Sequence, residues 1–355
     1  MQIDFHHAVT YVVCRLAGLT ARDAGVVAYA AQYVDDATNT GTVRFSNGAM
    51  YHRLSSAHRT FDYRNLEELA RQQVWIPFHF MPGNGGAPAG EDPPGKFIEK
   101  LVCRPDSPPA RDMVRLAIAK RGAAHALHRL GITLHTYCDT WAHQGFAGVS
   151  HRVNHAEDLR GPDGAPDERI MTKLQNFFVR QTLPLGHGAV LGNPDKPYLV
   201  WSYTDGEGRR VERDNPRDYL AAMDAVARVV QRFLLGDPDA DVPGLHPDDL
   251  AQIDHYLRAI DDHDDHVRHE RWMEAVRRGH FRFGAEPLEY HPKGEGSWKH
   301  VALGTVTEDD DDEESAYEYS PEFFRCDWKL FHDALQRQRL DIVQVVLPRY
   351  GICVA

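Results

Sequence analysis

His135, Asp139 and His143 recur at every fourth position. On an α-helix, steps of four drift by only about 40°, so the three side chains share one face. Neighbours are roughly 6 Å apart along the axis and can grip one divalent ion, while the outer pair is roughly 12 Å apart. The spacing therefore predicts a row of metal sites in which Asp139 bridges and each histidine serves a different ion. These residues interrupt an apolar run of Leu134, Tyr137, Cys138, Trp141, Ala142 and Phe146. Ionisable groups facing a core are costly unless paired or bound to metal. The other reading is a structural polar cluster.

Further candidate ligands flank this stretch. His6 and His7 open the first helical pattern, and Asp35 and Asp36 close the second. Two like charges at a helix C-terminus oppose the dipole, which a bound cation would relieve and a solvated helix end would tolerate. His58 follows two serines that can cap a helix. His151 and His155 stand four apart after the central helix, as do Asn154 and Asp158, and either pair could complete an ion site opposite His143. His187 lies between Gly186 and Gly188, where bare backbone would allow close approach to an ion or a substrate; a tight turn is the alternative.

The elements that must position these groups read as mainly α. Residues 4–18 have helical spacing, and Thr20 with Asp23 starts a second helix through Tyr33. Residues 75–97, aromatic and then rich in glycine and proline, read as a long loop that would wall or cover a site. Pro108 and Pro109 open a helix, residues 123–146 carry the central motif, and residues 166–183 and 216–235 are amphipathic. His125 and His128 read as supporting or surface residues. Tyr198 to Tyr203 is the clearest strand, turned back at Asp205 to Gly208. The charged stretch Asp261 to Glu270 reads as the exposed acidic start of a helix. The expected domains are a metal-dependent helical domain over 1–307, an acidic linker or loop over 308–320, and a C-terminal helix within 321–355 docking on the main domain.

The 355 residues suffice for a sizeable core, and the formal charge of −12 disfavours a grip on long nucleic acid. Five scattered cysteines with no CxxC pair give neither a disulfide framework nor a thiolate zinc site. No transmembrane run and no secretory signal is legible, so a cytoplasmic protein is the expectation, with signal-independent export left open.

The order His6/His7, Asp35/Asp36, His58, then His135-xxx-Asp139-xxx-His143 resembles the ligand pattern of zinc-dependent bacterial phospholipase C and the related fungal single-strand nucleases, over roughly the first 190 residues. The resemblance implies a single helical domain of the zinc phospholipase C type, with long loops and a short strand pair. It implies a two- or three-ion cluster bound by His7 or His6, Asp35 or Asp36, His58, and His135 with Asp139. His143 would begin a further site finished by His151, His155 or His187. Two features depart from the family. Its members use a processed N-terminal tryptophan as a ligand, where this chain has Met1 and Asp4 would substitute; and no HxxxE follows closely after His143.

The expected function is a metal-dependent hydrolase, a phosphoesterase of phosphodiester or phospholipid type, in which paired ions activate water and Asp35 or Asp36 acts as general base. Zinc is favoured by analogy, and manganese or iron also suits His/Asp donors. The substrate would be a small-molecule or lipid phosphoester. One alternative is an HD-type phosphohydrolase using His263-Asp264 or His332-Asp333. Another is a non-catalytic, metal-stabilised interaction protein that meets a partner through the acidic run and the C-terminal helix.

Overall fold

The central helix owes its place to its own composition. Apart from His128, Arg129, His135 and Asp139, α6, Ala126–Ala142, is made of apolar, aromatic and small residues, and every residue from His128 to Ala142 is buried, so it is an axis around which others pack. The computed structural model describes residues 1–57, 68–165, 186–306 and 316–354, with backbone alone for 68–72.

The chain opens with a π-helical segment, Asp4–Val9, continuous with α1, Thr10–Leu16. α2, Ala21–Asp36, starts where the Thr20 hydroxyl accepts the Asp23 N–H. It lies against α6 at backbone distance. A Cβ on Gly131 would stand 2.3 Å from the Val27 carbonyl oxygen, so only glycine permits the approach. That closeness brings Asp35, at the end of α2, to the His135 face of α6.

β1, Gly41–Arg44, and β2, Met50–Arg53, form an antiparallel pair. α3, Glu68–Phe78, follows and contains Pro77. The expected loop over 75–97 therefore begins four residues later than the composition suggests. Pro77 sits in the last turn, where the Pro77 and Phe78 carbonyls have no partner within the helix and accept from the Thr136 hydroxyl. A short α4, Ile98–Leu101, precedes α5, Pro108–Ala119, which Ser107 caps.

β3, Ala156–Arg160, β4, Val200–Asp205, and β5, Arg210–Asp214, make an antiparallel sheet in that order. β4 and β5 are the hairpin the sequence suggests, and β3 is an addition to it. Val211 opposes Tyr203 and Arg213 opposes Trp201. Trp201, Tyr203, Phe146 and Phe80 form the apolar layer that joins this sheet to the helices.

α7, Asn215–Leu235, packs Tyr219, Met223, Val226 and Val230 into the main core. α8, Pro247–Ala259, and α9, Asp265–Arg277, follow, then α10, Trp298–Leu303. α11, Asp327–Asp341, turns Trp328, Phe331 and Leu335 inward against the Tyr33 and Ile132 side of α2 and α6. A buried ion pair, Arg129 to Asp341 at 3.1 Å, fixes its far end. The face of the last helix that carries Trp328, Phe331 and Leu335 is thus covered within the molecule. The acidic run at 308–314, the amphipathic stretch at 166–183 and His58 lie outside the described residues. Among the described residues the molecule is mainly helical with two small sheets, and no helix is long and apolar enough to cross a membrane.

Candidate metal centre

The π-helical opening, the end of α2, the residues just after α3 and the central face of α6 meet at one point. His6, Asp35, His79, His135 and Asp139 gather there, and His143, His187 and Asp195 gather beside them. Of the candidates legible in the sequence, the fold brings together His6, Asp35, His135, Asp139, His143 and His187. It adds His79 and Asp195.

In the first group, His135 Nε2 stands 3.2 Å from His79 Nδ1 and 3.4 Å from Asp139 Oδ2. His79 Nδ1 is 3.5 Å from the same Asp139 oxygen, and both ring nitrogens are 3.8 Å from Asp35 Oδ1. Donors tetrahedrally placed around zinc lie about 3.3 Å apart, so these separations suit one shared ion. His6 stacks on His135 with ring centroids 3.8 Å apart, and its Nε2 lies 3.3 Å from Asp139 Oδ1.

In the second group, His143 Nε2 is 3.4 Å from Asp195 Oδ1 and His187 Nε2 is 3.4 Å from Asp195 Oδ2. The α-amino group of Met1 lies between the groups, 2.8 Å from Asp139 Oδ1 and 3.2 Å from Asp195 Oδ1. Asp139 is thus placed between two histidines on its own helix, with Oδ2 3.4 Å from His135 Nε2 and 3.7 Å from His143 Nδ1.

The tautomers follow from the outer hydrogen bonds. His135 Nδ1 meets the Ala31 carbonyl, His79 Nε2 that of Ser56, His143 Nδ1 that of His79 and His187 Nδ1 that of Leu191, at 2.7 to 2.9 Å. A carbonyl only accepts, so each of these nitrogens carries the proton. Where a ring carries only that proton, its opposite nitrogen presents a lone pair on the side of the carboxylates. Metal-ligating histidines are oriented in this way. Both ring nitrogens of His6, Asp139 Oδ2 and Asp195 Oδ1 are buried without a hydrogen-bond partner, which a bound cation would remedy.

The electrostatics agree with a place built for positive charge. Burial opposes ionisation of Asp139, yet His143, the Met1 ammonium and His135 hold its pKa well below the usual carboxylate range. Asp195 is likewise lowered by the Met1 ammonium and His187 against the pull of burial. The Met1 amine, which burial alone would lower, is raised to about 11 by Asp139, Asp195 and Asp35. Burial opposes protonation of His79, but the Asp139 and Asp35 carboxylates raise its pKa. His6 is pushed down to about 3 by burial and by His135. Burial raises the nearby Cys103 and Cys138 thiols far above neutrality, leaving nitrogen and oxygen as the donors.

Other sequence candidates face elsewhere. His7 turns to His269, with Nδ1 to Nε2 at 2.8 Å, because adjacent helical residues cannot share a face. For the same reason Asp36 turns from Asp35 and accepts from the Tyr290 hydroxyl and the Gln32 amide. Asp4 cannot stand in as a donor, since the buried Arg268 guanidinium holds it at 2.6 Å. His155 precedes β3, and His151 accepts the Val153 N–H.

His151 instead lines a large cleft of about 1330 Å³ just past the α6 C-terminus, beside Gln144, Gly145 and the β4–β5 hairpin. None of the eight gathered residues lines that cleft. His128 bonds Asp327.

His79 was concealed by its neighbours: an aromatic and proline-rich run reads as a loop wall. Asp195 lies in the short turn Asn193–Asp195, far along the chain from every other ligand, and carries no periodic signal.

Neither curated proteins nor solved structures give a match to the chain. A family model matches residues 1–346 of the 355, and the protein belongs to that family, a family of unknown function (DUF6765).

Proposed function

We propose that the protein is a metal-dependent hydrolase of the phosphoesterase kind, holding two divalent ions. His79, His135, Asp35 and Asp139, with His6, would hold one, and His143, His187 and Asp195 the other. The observation that carries the reading is the 3.2 Å approach of His135 Nε2 to His79 Nδ1 while the far nitrogen of each ring donates to a carbonyl. Two lone pairs face each other at that distance only with a proton or a metal cation between them. The helical build and the ligand order of the zinc phospholipase C and single-strand nuclease family support the same reading.

Divalent ions held there would lower the pKa of bound water and offset charge on a phosphoryl group. Asp35 is the most exposed of the gathered carboxylates, its side chain one-third accessible, and marks the side from which a substrate arrives. Its second oxygen can take a proton from water, the general-base role first shared with Asp36. Asp139, fully buried and between the groups, orients and neutralises. The donor set contains no thiolate and suits zinc, with manganese or iron also accommodated.

The HD-type reading has less support. Neither His263-Asp264 nor His332-Asp333 falls in any of the gathered groups among the described residues. A non-catalytic, metal-stabilised protein is separated by the test. Metal content of the protein purified without chelators would be measured by plasma mass spectrometry, together with hydrolysis of bis(p-nitrophenyl) phosphate. Two ions per chain with turnover lost in Asp35→Asn is the expected result. Two ions without hydrolysis of this or other phosphoesters would leave the structural role, and no ions would end the metal reading.

A further inference from the structure

Phe80 touches the ligands of the second group without having any donor atom of its own. Its ring stacks on His143 with centroids 4.4 Å apart and planes 19° apart, and it leans on His187 at 5.9 Å. The two histidine rings are themselves 4.8 Å apart, so Phe80 backs them as a pair.

The seat for this ring is cut to its shape. A Cβ on Gly186, whose φ is +54°, would stand 2.3 Å from Phe80 Cζ, and a Cβ on Gly148 would stand 2.8 Å from Phe80 Cβ. Side chains at either position would displace the ring. The backbone is fixed as well, since the Phe80 N–H bonds the Trp75 carbonyl at 2.7 Å.

The residue before it serves both groups. The His79 ring faces His135 and Asp139, while the His79 carbonyl accepts the His143 Nδ1 proton at 2.9 Å. That hydrogen bond sets the His143 tautomer but leaves the ring free to swing about the bond axis. A flat apolar face on one side removes the swing and keeps Nε2 toward Asp195.

We infer that Phe80 is the positioning residue of the second ion site, holding His143 and His187 so that both Nε2 atoms face Asp195. The inference rests on the metal reading above and not on any substrate. A flat ring is what the site uses: an aliphatic side chain of similar bulk fills the space but does not hold the imidazole plane.

The test is a Co²⁺ titration of the full-length chain, followed by visible absorption and by metal stoichiometry, for the native protein, Phe80→Leu and Phe80→Ala. The native chain should take two Co²⁺. In both variants the first Co²⁺ should bind as before, while affinity for the second falls roughly tenfold or more, as for loss of other ligand-orienting partners. Its absorption bands should broaden or move. Phe80→Leu retains apolar bulk, so it decides the matter if Phe80→Ala does not fold. A folded Phe80→Leu with native affinity for both ions and a native spectrum would overturn the inference. Equal weakening of both ions would also overturn it, by making Phe80 a general packing residue. If the native chain takes no Co²⁺, the metal reading itself fails, an outcome distinct from both.

Discussion

His79 Nδ1 and His135 Nε2 face each other at 3.2 Å across the buried centre, although they come from positions 56 residues apart. Each ring is steered there by a main-chain carbonyl on its far side. Replacing either histidine by alanine should remove one ion per chain and leave the second group loaded. Plasma mass spectrometry of His79→Ala would decide it, and unchanged metal content would exclude His79 as a ligand.

The adjacent aspartates at the end of α2 should separate cleanly. Asp35→Asn should weaken metal binding, because Asp35 Oδ1 lies within 3.8 Å of both His79 and His135. Asp36→Asn should leave stoichiometry unchanged, since Asp36 is occupied by Tyr290 and Gln32. Isothermal titration with Zn²⁺ compares the two, and the reverse ranking would refute the placement.

Removing metal should cost stability. An ion that binds only the folded chain contributes about 2.7 kcal/mol at one hundred times its dissociation constant. Dialysis against a chelator should lower the melting temperature, and added Zn²⁺ should restore it. In Asp139→Ala both effects should shrink, because only the ion of the second group remains to be removed or restored. A native protein indifferent to the chelator while still carrying its ions would contradict this account.

The buried His7–His269 pair gives a pH dependence outside the ion groups. Burial and the neighbouring His266 lower the pKa of His269 to about 4, against 6.5 for the free side chain. The folded state therefore favours neutral His269, and below pH 6.5 the unfolded chain binds the extra proton. Its contribution is fully present above pH 6.5 and is lost as pH falls toward 4, by about 2 kcal/mol between pH 7 and pH 5. Urea unfolding at the two pH values, native against His269→Gln, should show a smaller difference in the variant. Equal differences would remove His269 as the source.

The contact between α2 and α6 can be tested through Gly131. A Cβ there would meet the Val27 carbonyl oxygen at 2.3 Å and the Ala30 Cβ at 2.7 Å. Gly131→Ala should destabilise by roughly 1–3 kcal/mol despite alanine's better helix propensity. It should also move Asp35 away from His135 and weaken the first ion. A neutral or stabilising effect would mean that the helices can separate without cost.

Much of the site was written locally. The i, i+4, i+8 spacing alone puts His135, Asp139 and His143 on one face, and an apolar helix that long must be buried, carrying them inward. The mainly helical class, the capped start of α2 and the β4–β5 hairpin follow from short-range rules of the same kind. The choice between His6 and His7, or between Asp35 and Asp36, did not. Adjacent residues point in different directions, and only the neighbouring elements decide which direction faces the centre. His79 and Asp195 were decided by tertiary structure alone. Each is held by a turn with no repeating pattern, and it becomes a candidate ligand only when chain folding brings it against α6. Local periodicity fixes which side chains share a face, while long-range packing decides which faces meet.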